Sequence, residues 1–288
     1  MLSKANRIGF RNFFKSIGTS GHVDLIIDAN VIIAAKDKNH KDHSLVREFF
    51  NDLKNKTQSY TLFTTVTTKA EFLEYCRRMI ITKAIISAYN SHNEEQILTS
   101  KCHQEIQSQI RARNYRQNKE VQKQEQLEKK LEAEGFDTLE YDIKEFSIDA
   151  NYFKDSEIKN IKKAFRARTI ENELGWIKLC EDTLLPRLEK YEQILDDMCH
   201  YLTTRDIESK KFFTEGEVQW RMATQICAET AMGYSDAMIL NMANHTSIKH
   251  IFSLDYDIVY GGHISAKDKI IIVPDKRLKH YKQTLKGL

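Results

Sequence analysis

Four short runs rich in β-branched and aromatic residues place the strongest constraint on the fold. They are VDLIID (23–28), YTLFTTV (60–66), IKHIFSL (248–254) and KIIIVPD (269–275). At least two lack the alternation of a one-sided strand, which is typical of sheets covered on both faces. Helical patterns lie between them, so we predict an α/β fold with three layers and a central, mostly parallel sheet.

The chain between the second and third runs has a different character. It holds no convincing strand over about residues 84–215, and residues 94–134 are rich in Gln, Lys and Glu without Gly or Pro, which favours a long helix. The sequence therefore predicts a discontinuous α/β domain, interrupted by an all-helical insertion. We expect the domain to comprise residues 1–83 and 217–288, and the insertion residues 84–216.

The second half of the insertion carries a denser apolar repeat. Apolar side chains recur in steps of three and four from Leu174 and Ile177 to Leu195 and Leu202, which indicates a coiled-coil-like face. Pro186 lies within this repeat, so we expect the helix to be kinked or split there.

Composition and the N-terminal segment narrow the class of protein. The formal charge is +3, from 44 basic and 41 acidic side chains, which is too small to establish a nucleic-acid partner. Five scattered cysteines without a C-x-x-C pair favour reduced thiols in a cytoplasmic protein. Phe10, Phe13, Phe14 and Ile17 have helical spacing, which favours a packed N-terminal helix over a membrane anchor, and no run approaches a membrane span.

Several carboxylates occupy comparable positions at the ends of strands or the starts of helices. Asp28 closes the first strand, Glu71 follows the second, and Asp255 follows the third, with Asp257 two residues on. Asp236 begins a helix for which we expect Ser235 to be the N-cap, after Gly233 ends the preceding helix. Ligands of open α/β sheets bind beyond the carboxyl ends of the strands, so we expect these acids to meet in one crevice.

Each acid also has an ordinary structural explanation when taken alone. Asp255 and Asp257 suit a turn, Asp236 suits the positive end of a helix dipole, and Glu71 suits a solvated helix surface. Together they repel, by roughly 4 kcal/mol for two charges about 4 Å apart at an effective dielectric near 20. Mg²⁺ or Mn²⁺ relieves such repulsion, and no nearby Cys/His set offers a zinc site.

Four segments of the chain together resemble the PIN-domain nucleases, including VapC-type toxins. They are LIIDANVII, TTVTTKAEFLE, GYSDAMIL and IFSLDYDIV, and the resemblance covers roughly residues 22–83 and 217–275. The spacings of 43 residues from Asp28 to Glu71 and 19 from Asp236 to Asp255 fit that family. Ser253 and Ile258 replace the usual Thr and Phe, and the 165 residues from Glu71 to Asp236 exceed what a minimal PIN domain uses.

The resemblance implies a role for each matching residue. Asp28, Glu71, Asp236 and Asp255 would be the catalytic acids that hold Mg²⁺ or Mn²⁺, with Asp257 as an auxiliary metal ligand. Asn30, Ser253 and Ser235 would support them. The implied activity is metal-dependent hydrolysis of RNA that leaves 5′-phosphate and 3′-hydroxyl ends.

Other charged segments allow two interpretations. Seven basic residues of the insertion predict a track for the RNA backbone, or are ordinary charges of exposed helices: Arg111, Arg113, Arg116, Lys162, Lys163, Arg166 and Arg168. The loop KDKNHKDHS (36–44) is a further metal site or, as we favour, a solvated loop. The basic stretch KRLKHYKQTLK near the C-terminus has the same ambiguity as the track.

The sequence thus favours a metal-dependent endoribonuclease, acting as a toxin, a phage-defence effector or an RNA-processing enzyme. We expect RNA as substrate, an antitoxin-like protein partner or inhibitor, and a homo-oligomer. Two alternatives stay open. One is a DNA or flap nuclease of related fold, and the other is a non-catalytic PIN-like scaffold that binds a protein through the helical arm.

Overall fold

The chain divides into two compact units. The computed structural model describes residues 7–18, 21–90, 98–133, 148–166, 170–214, 220–266 and 268–278. The first unit is formed by Met1–Phe72 with Leu195–Leu288, and the second by Leu73–Ile194. The first unit is therefore discontinuous, with borders that precede those expected at residues 83 and 217.

The first unit contains a six-stranded parallel sheet with the strand order β1-β6-β5-β2-β3-β4. The strands are β1 (Arg7–Gly9), β2 (His22–Ile27), β3 (Ser59–Thr64), β4 (His200–Tyr201), β5 (His250–Phe252) and β6 (Ile270–Val273). The four predicted strands are thus confirmed as β2, β3, β5 and β6. The expectation of no strand over residues 84–215 is wrong at β4, because a two-residue strand leaves no pattern to detect.

The described parts of both units also contain helices. In chain order they are α1 (Phe10–Ile17), α2 (Ala29–Lys36), α3 (His43–Lys56), α4 (Val66–Asn90), α5 (Ser100–Ala133), α6 (Ile148–Asn151), α7 (Asp155–Arg166), α8 (Ile170–Leu179), α9 (Leu185–Met198), α10 (Ile207–Lys210), α11 (Trp220–Thr230), α12 (Tyr234–Asn244) and α13 (Tyr256–Ser265). None of the described helices is long and apolar enough to cross a membrane. The expected mixture of helices and a parallel sheet is confirmed.

Helices cover both faces of the sheet. On one face, Phe252 of β5 packs against Phe10 of α1 and Phe49 of α3, with ring centroids 5.4 and 4.3 Å apart. On the other face, Ile251 belongs to the same buried cluster as side chains of α11, α12 and α13. Successive residues of a strand point to opposite faces, so this alternation produces three layers. The expected N-terminal helix is α1, and its phenylalanines are buried.

The strand order reverses direction at β2. The chain passes from β2 to β3 on one side, whereas β5 pairs with β2 on the other. This is a topological switch point, where helices leave the carboxyl ends of neighbouring strands in opposite directions. The backbone N–H of Asp28 donates to the carbonyl of Phe252 (3.2 Å), which joins the ends of β2 and β5.

The second unit is helical and has its own apolar core, which includes Ile85, Ile106, Phe153 and Ile161. The break expected near Pro186 is a π-helical segment, Cys180–Leu184, directly before α9. A π turn adds a residue and shifts the buried face of the helix. Consequently the predicted apolar face is wrong at Ile177, which is 48% exposed, while the neighbouring Trp176 is buried.

Candidate active site

Asp28 and Asp255 both lie where a strand gives way to a helix. Each is the N-cap of the helix that follows, and each has extended backbone. The Asp28 carboxylate accepts a hydrogen bond from the N–H of Ala29, and the Asp255 carboxylate accepts one from the N–H of Asp257 (2.8 Å). Capping explains locally why an acid occupies each strand end. The parallel pairing of β2 and β5 brings the two caps to the same edge of the sheet.

Ser253 links these two acids. Its hydroxyl donates to Oδ2 of Asp28 (2.7 Å) and accepts from the N–H of Asp255 (2.9 Å). Both Ser253 and Asp28 are buried, with exposed fractions of 0% and 2%. Asn30 adds a further connection, because its Oδ1 accepts from the N–H of Leu254 (3.1 Å). Ser253 and Asn30 thus both contact the loop that carries Asp255.

Glu71 and Asp236 are joined through Ser235. Thr65 caps α4 by accepting from the N–H of Thr68 (3.1 Å), and this places Glu71 in the second turn of that helix. The hydroxyl of Ser235 donates to Oε2 of Glu71 (2.9 Å). The prediction that Ser235 is an N-cap is wrong. Gly233 is the N-cap of α12, which leaves the Ser235 hydroxyl free to reach Glu71.

Electrostatic coupling shows that the acids share one neighbourhood. Burial raises the pKa of Asp236 to about 8, with further contributions, in decreasing order, from the charges of Asp28, Asp255, Glu71 and Asp257. Burial also raises the pKa of Asp28 to about 7, against the hydrogen bond from Ser253 and with the charges of Glu71 and Asp255. Partial burial, followed by the charge of Asp255, raises the pKa of Asp257. Like charges raise a carboxyl pKa only at short range.

The chemistry of the donor set fits a hard divalent cation. The five acids offer carboxylate oxygens, which Mg²⁺ and Mn²⁺ prefer. The Cys227 thiol is also near Asp236, but burial, followed by the charge of Asp236, raises its pKa, which disfavours the thiolate that binds metals. Among the residues described, however, no three His, Cys, Asp or Glu side chains are grouped as a ready set of metal ligands. The acids therefore share one electrostatic environment, but they do not form a closed coordination shell.

Arg277, from the basic stretch KRLKHYKQTLK, lies at this edge of the sheet in contacts that the sequence did not indicate, and residues 279–286 of that stretch lie outside the described residues. Its Nη1 donates to the carbonyl of Leu254 (2.8 Å), and its Nη2 donates to both carboxylate oxygens of Asp42 (2.8 Å each). Asp42 is therefore buried in an ion pair, although the loop that contains it was expected to be solvated. In the same loop, Nδ1 of His43 lies 2.8 Å from the carbonyl oxygen of Ala34. No local pattern indicates the ion pair, because its partners are 235 residues apart along the chain.

The predicted basic track in the second unit contains side chains in unlike environments. Arg116 pairs with Glu157 through two hydrogen bonds, one of 2.8 Å from Nη2 to Oε2. Burial, followed by the charge of Arg116, lowers the pKa of Arg113, which is half-buried. Lys162 is also half-buried, and its Nζ is 6.0 Å from the centre of the Trp176 ring.

The remaining members of the track divide between exposed and undescribed positions. Arg111 and Lys163 are exposed. The side chain of Arg166 and the whole of Arg168 lie outside the described residues. The expectation that these residues contact RNA stays a prediction.

No family model, no curated protein and no solved structure matches this chain. The resemblance to PIN-domain nucleases therefore depends on the four sequence segments alone.

Proposed function

We propose that the first unit is a PIN-like, metal-dependent endoribonuclease that hydrolyses RNA phosphodiester bonds. The observation that carries this proposal is the electrostatic coupling of Asp236 to Asp28, Glu71 and Asp255, which come from different elements of the same sheet edge. Such a concentration of negative charge is unfavourable unless a cation neutralises it. Active sites are where proteins maintain this kind of perturbed carboxyl group.

In this proposal Mg²⁺ or Mn²⁺ is held by Asp28, Glu71, Asp236 and Asp255, with Asp257 as an auxiliary ligand. A bound ion of this kind supplies Lewis acidity, which lowers the pKa of water and stabilises charge on a phosphoryl group. The chain's own polar groups keep the acids in place: Ser253 ties Asp28 to the Asp255 loop, and Ser235 holds Glu71. Partners of this kind orient ligands and tune their affinity for the metal.

In this proposal, side chains of the second unit contact the phosphate backbone of the RNA. Arg111 and Lys163 are exposed cations, which suits sequence-independent binding to phosphates. The wider role is that of a toxin with an antitoxin-like inhibitor, a phage-defence effector or an RNA-processing enzyme, in a homo-oligomer. Sequencing of the RNA ends produced on induced expression, for wild type and Asp28→Asn, distinguishes these roles by their targets.

The activity is tested with the purified full chain on end-labelled single-stranded and hairpin RNA, in Mn²⁺, Mg²⁺ or EDTA. We expect cleavage that requires the divalent ion and leaves 5′-phosphate ends. Asp28→Asn should lower the rate by at least about 100-fold, because loss of a ligand exceeds the effect of losing an outer partner. Asp24→Asn is the matched control. It changes another aspartate near β2's amino end, which contacts His22 (3.0 Å), and should leave cleavage unchanged.

Two results would contradict the proposal. If cleavage persists in EDTA, or if Asp28→Asn cleaves at the wild-type rate, the proposed metal site is wrong. Cleavage of matched single-stranded or flap DNA, with RNA left intact, transfers the activity to the DNA nuclease alternative.

A non-catalytic scaffold is the second candidate function, and a specific observation favours it. The carboxylates of Asp28 and Asp255 already cap helices, and the described acids form no ready ligand set. Titration calorimetry with Mn²⁺ decides between the two functions. A nuclease should give binding heat that disappears in Asp236→Asn, whereas a scaffold should give none in the wild type.

A further inference from the structure

A three-way contact at Arg277 fixes the loop before Asp255. Arg277 lies just beyond β6, and its guanidinium contacts one backbone carbonyl, that of Leu254, and one carboxylate, that of Asp42. Both side chains of the ion pair are largely buried, with 24% of Arg277 and 11% of Asp42 exposed. A planar guanidinium suits this geometry, because Nη2 faces both carboxylate oxygens of Asp42 while Nη1, in the same plane, donates to the carbonyl of Leu254.

The backbone of Leu254 is consequently held on both sides. Its N–H donates to Oδ1 of Asn30 (3.1 Å), and its carbonyl accepts from Nη1 of Arg277 (2.8 Å). The next N–H, that of Asp255, donates to Ser253 (2.9 Å). The orientation of the peptide between residues 254 and 255 determines where the Asp255 side chain begins. These contacts therefore hold the backbone from which that carboxylate extends.

We propose that Arg277 is a positioning residue for Asp255, and that it acts through Leu254 and with Asp42 as its anchor. This role rests on the proposed function, in which Asp255 is a metal ligand. Arg277 bonds to none of the four acids among the described contacts, so its effect on the site passes through the backbone. Asp42 completes the arrangement, because a buried guanidinium that loses its carboxylate partner is strongly unfavourable.

The experiment compares Arg277→Met, Arg277→Lys and Asp42→Asn with the wild-type full chain. Lys269→Met is the matched control. Lys269 is another buried cation that donates to backbone carbonyls, those of Thr246 (2.7 Å) and Ile248 (3.1 Å), but it lies before β6, at the opposite edge of the sheet. The first measurement is amide hydrogen exchange in metal-free protein at residues 254–257. The second is the affinity for Mn²⁺ by calorimetry, with kcat and KM for RNA cleavage alongside.

We expect Arg277→Met to accelerate exchange at residues 254–257 by about 5- to 10-fold, which corresponds to one lost hydrogen bond. It should also weaken Mn²⁺ binding by about 10- to 100-fold, the usual effect of losing an outer partner of a metal site. Arg277→Lys keeps the charge but reaches fewer acceptors, so its effects should be intermediate. Lys269→Met should lower the stability of the fold but change neither exchange at residues 254–257 nor Mn²⁺ affinity.

The outcomes separate this inference from the proposed function. If the wild type binds Mn²⁺ and Arg277→Met binds it equally well, or exchanges at the wild-type rate, the positioning role is wrong and the nuclease proposal stands. If the wild type neither binds Mn²⁺ nor cleaves RNA, the nuclease proposal fails and the positioning role fails with it. If Arg277→Met does not fold, Asp42→Asn and Arg277→Lys decide by the same measurements.

Discussion

The amino ends and the carboxyl ends of the strands, called here the amino edge and the carboxyl edge of the sheet, each bury a charged side chain, but the neighbours of that side chain differ. At the amino edge, Lys269 is 4% exposed, and its ammonium donates to two carbonyls. At the carboxyl edge, Asp28 is equally buried and also accepts hydrogen bonds, but it faces the like charges of Glu71 and Asp255. The first arrangement gives the ammonium two hydrogen-bond acceptors, although burial still lowers the pKa of Lys269. The second leaves a repulsion that protonation or a bound cation relieves, and the raised pKa of Asp28 reflects its burial first and these charges second.

The largest effect is expected at the amino edge. Lys269→Met removes a charged donor from the carbonyls of Thr246 and Ile248, and we expect the free energy of unfolding to fall by about 2 kcal/mol. Urea denaturation of the metal-free protein measures this change. Lys211→Met is the control. It removes an exposed lysine paired with Glu208 and should leave the free energy of unfolding unchanged.

Lys269 should also affect how the stability of the protein depends on pH. Burial lowers the pKa of Lys269 below the ordinary lysine value of 10.5, so the folded state binds fewer protons than the unfolded state just below that pH. Stability should therefore rise as pH increases toward 10.5, and this rise should be absent from Lys269→Met. Parallel pH curves for the two proteins would show instead that the ammonium is as well accommodated inside the fold as in water.

The opposite sign is expected at the carboxyl edge. At pH 9, above the pKa of about 8 that Asp236 has in the folded protein, Asp236→Asn removes one of several repelling charges. We expect it to raise the free energy of unfolding of the metal-free protein by about 1 kcal/mol, a modest figure because the side chain is only half-buried. Thermal unfolding with and without Mn²⁺ measures this gain. Mn²⁺ should stabilise the wild type and have little effect on the variant.

Asp206→Asn provides the comparison for that variant. Asp206 caps α10, and asparagine fills that role equally well, so the free energy of unfolding of the protein should not change. A loss of stability in metal-free Asp236→Asn would mean that the carboxyl edge tolerates its charges without repulsion, and the contrast between the two edges would disappear.

The smallest effect concerns the backbone that leads to Asp236. Ala231, between α11 and α12, has a φ of 58°, in the left-handed region that favours glycine. Ala231→Gly should raise the free energy of unfolding by about 0.5 to 1 kcal/mol. Ala228→Gly, an exposed position within α11, should lower it by a similar amount. If both substitutions destabilise the protein in urea, the turn before α12 is not strained.

The sequence predicted the four central strands of the sheet but not its two outermost strands. The strands β2, β3, β5 and β6 consist of apolar runs covered on both faces, and such runs are visible without any knowledge of their partners. The strands β1 and β4 have three and two residues, and they are strands only because β6 and β3 lie beside them. The π-helical segment before α9 likewise depends on tertiary packing, so the apolar repeat predicted the wrong buried face at Ile177.

In the candidate site, likewise, the acids could be predicted from the sequence but the contacts between them could not. The acids were identified because each follows a local pattern, the end of a strand or the start of a helix. Their contacts were not, because Ser235 reaches Glu71 across 164 residues, and Arg277 reaches Asp42 across 235. Local chemistry even favoured a different role for Ser235, that of an N-cap, which Gly233 fills instead. Pairings over such distances follow from the strand order and not from spacing along the chain.

The pairing of β1 with β6 also bears on the order in which the molecule forms. Residues 7–9 align with residues 271–273, so the outermost strand on that side must wait until residues 271–273 have emerged from the ribosome. Contacts between such distant residues slow folding, because a long loop has to close before any pairing energy is gained. Unlike a domain that folds vectorially as it is synthesised, this sheet is completed by its first and last strands together.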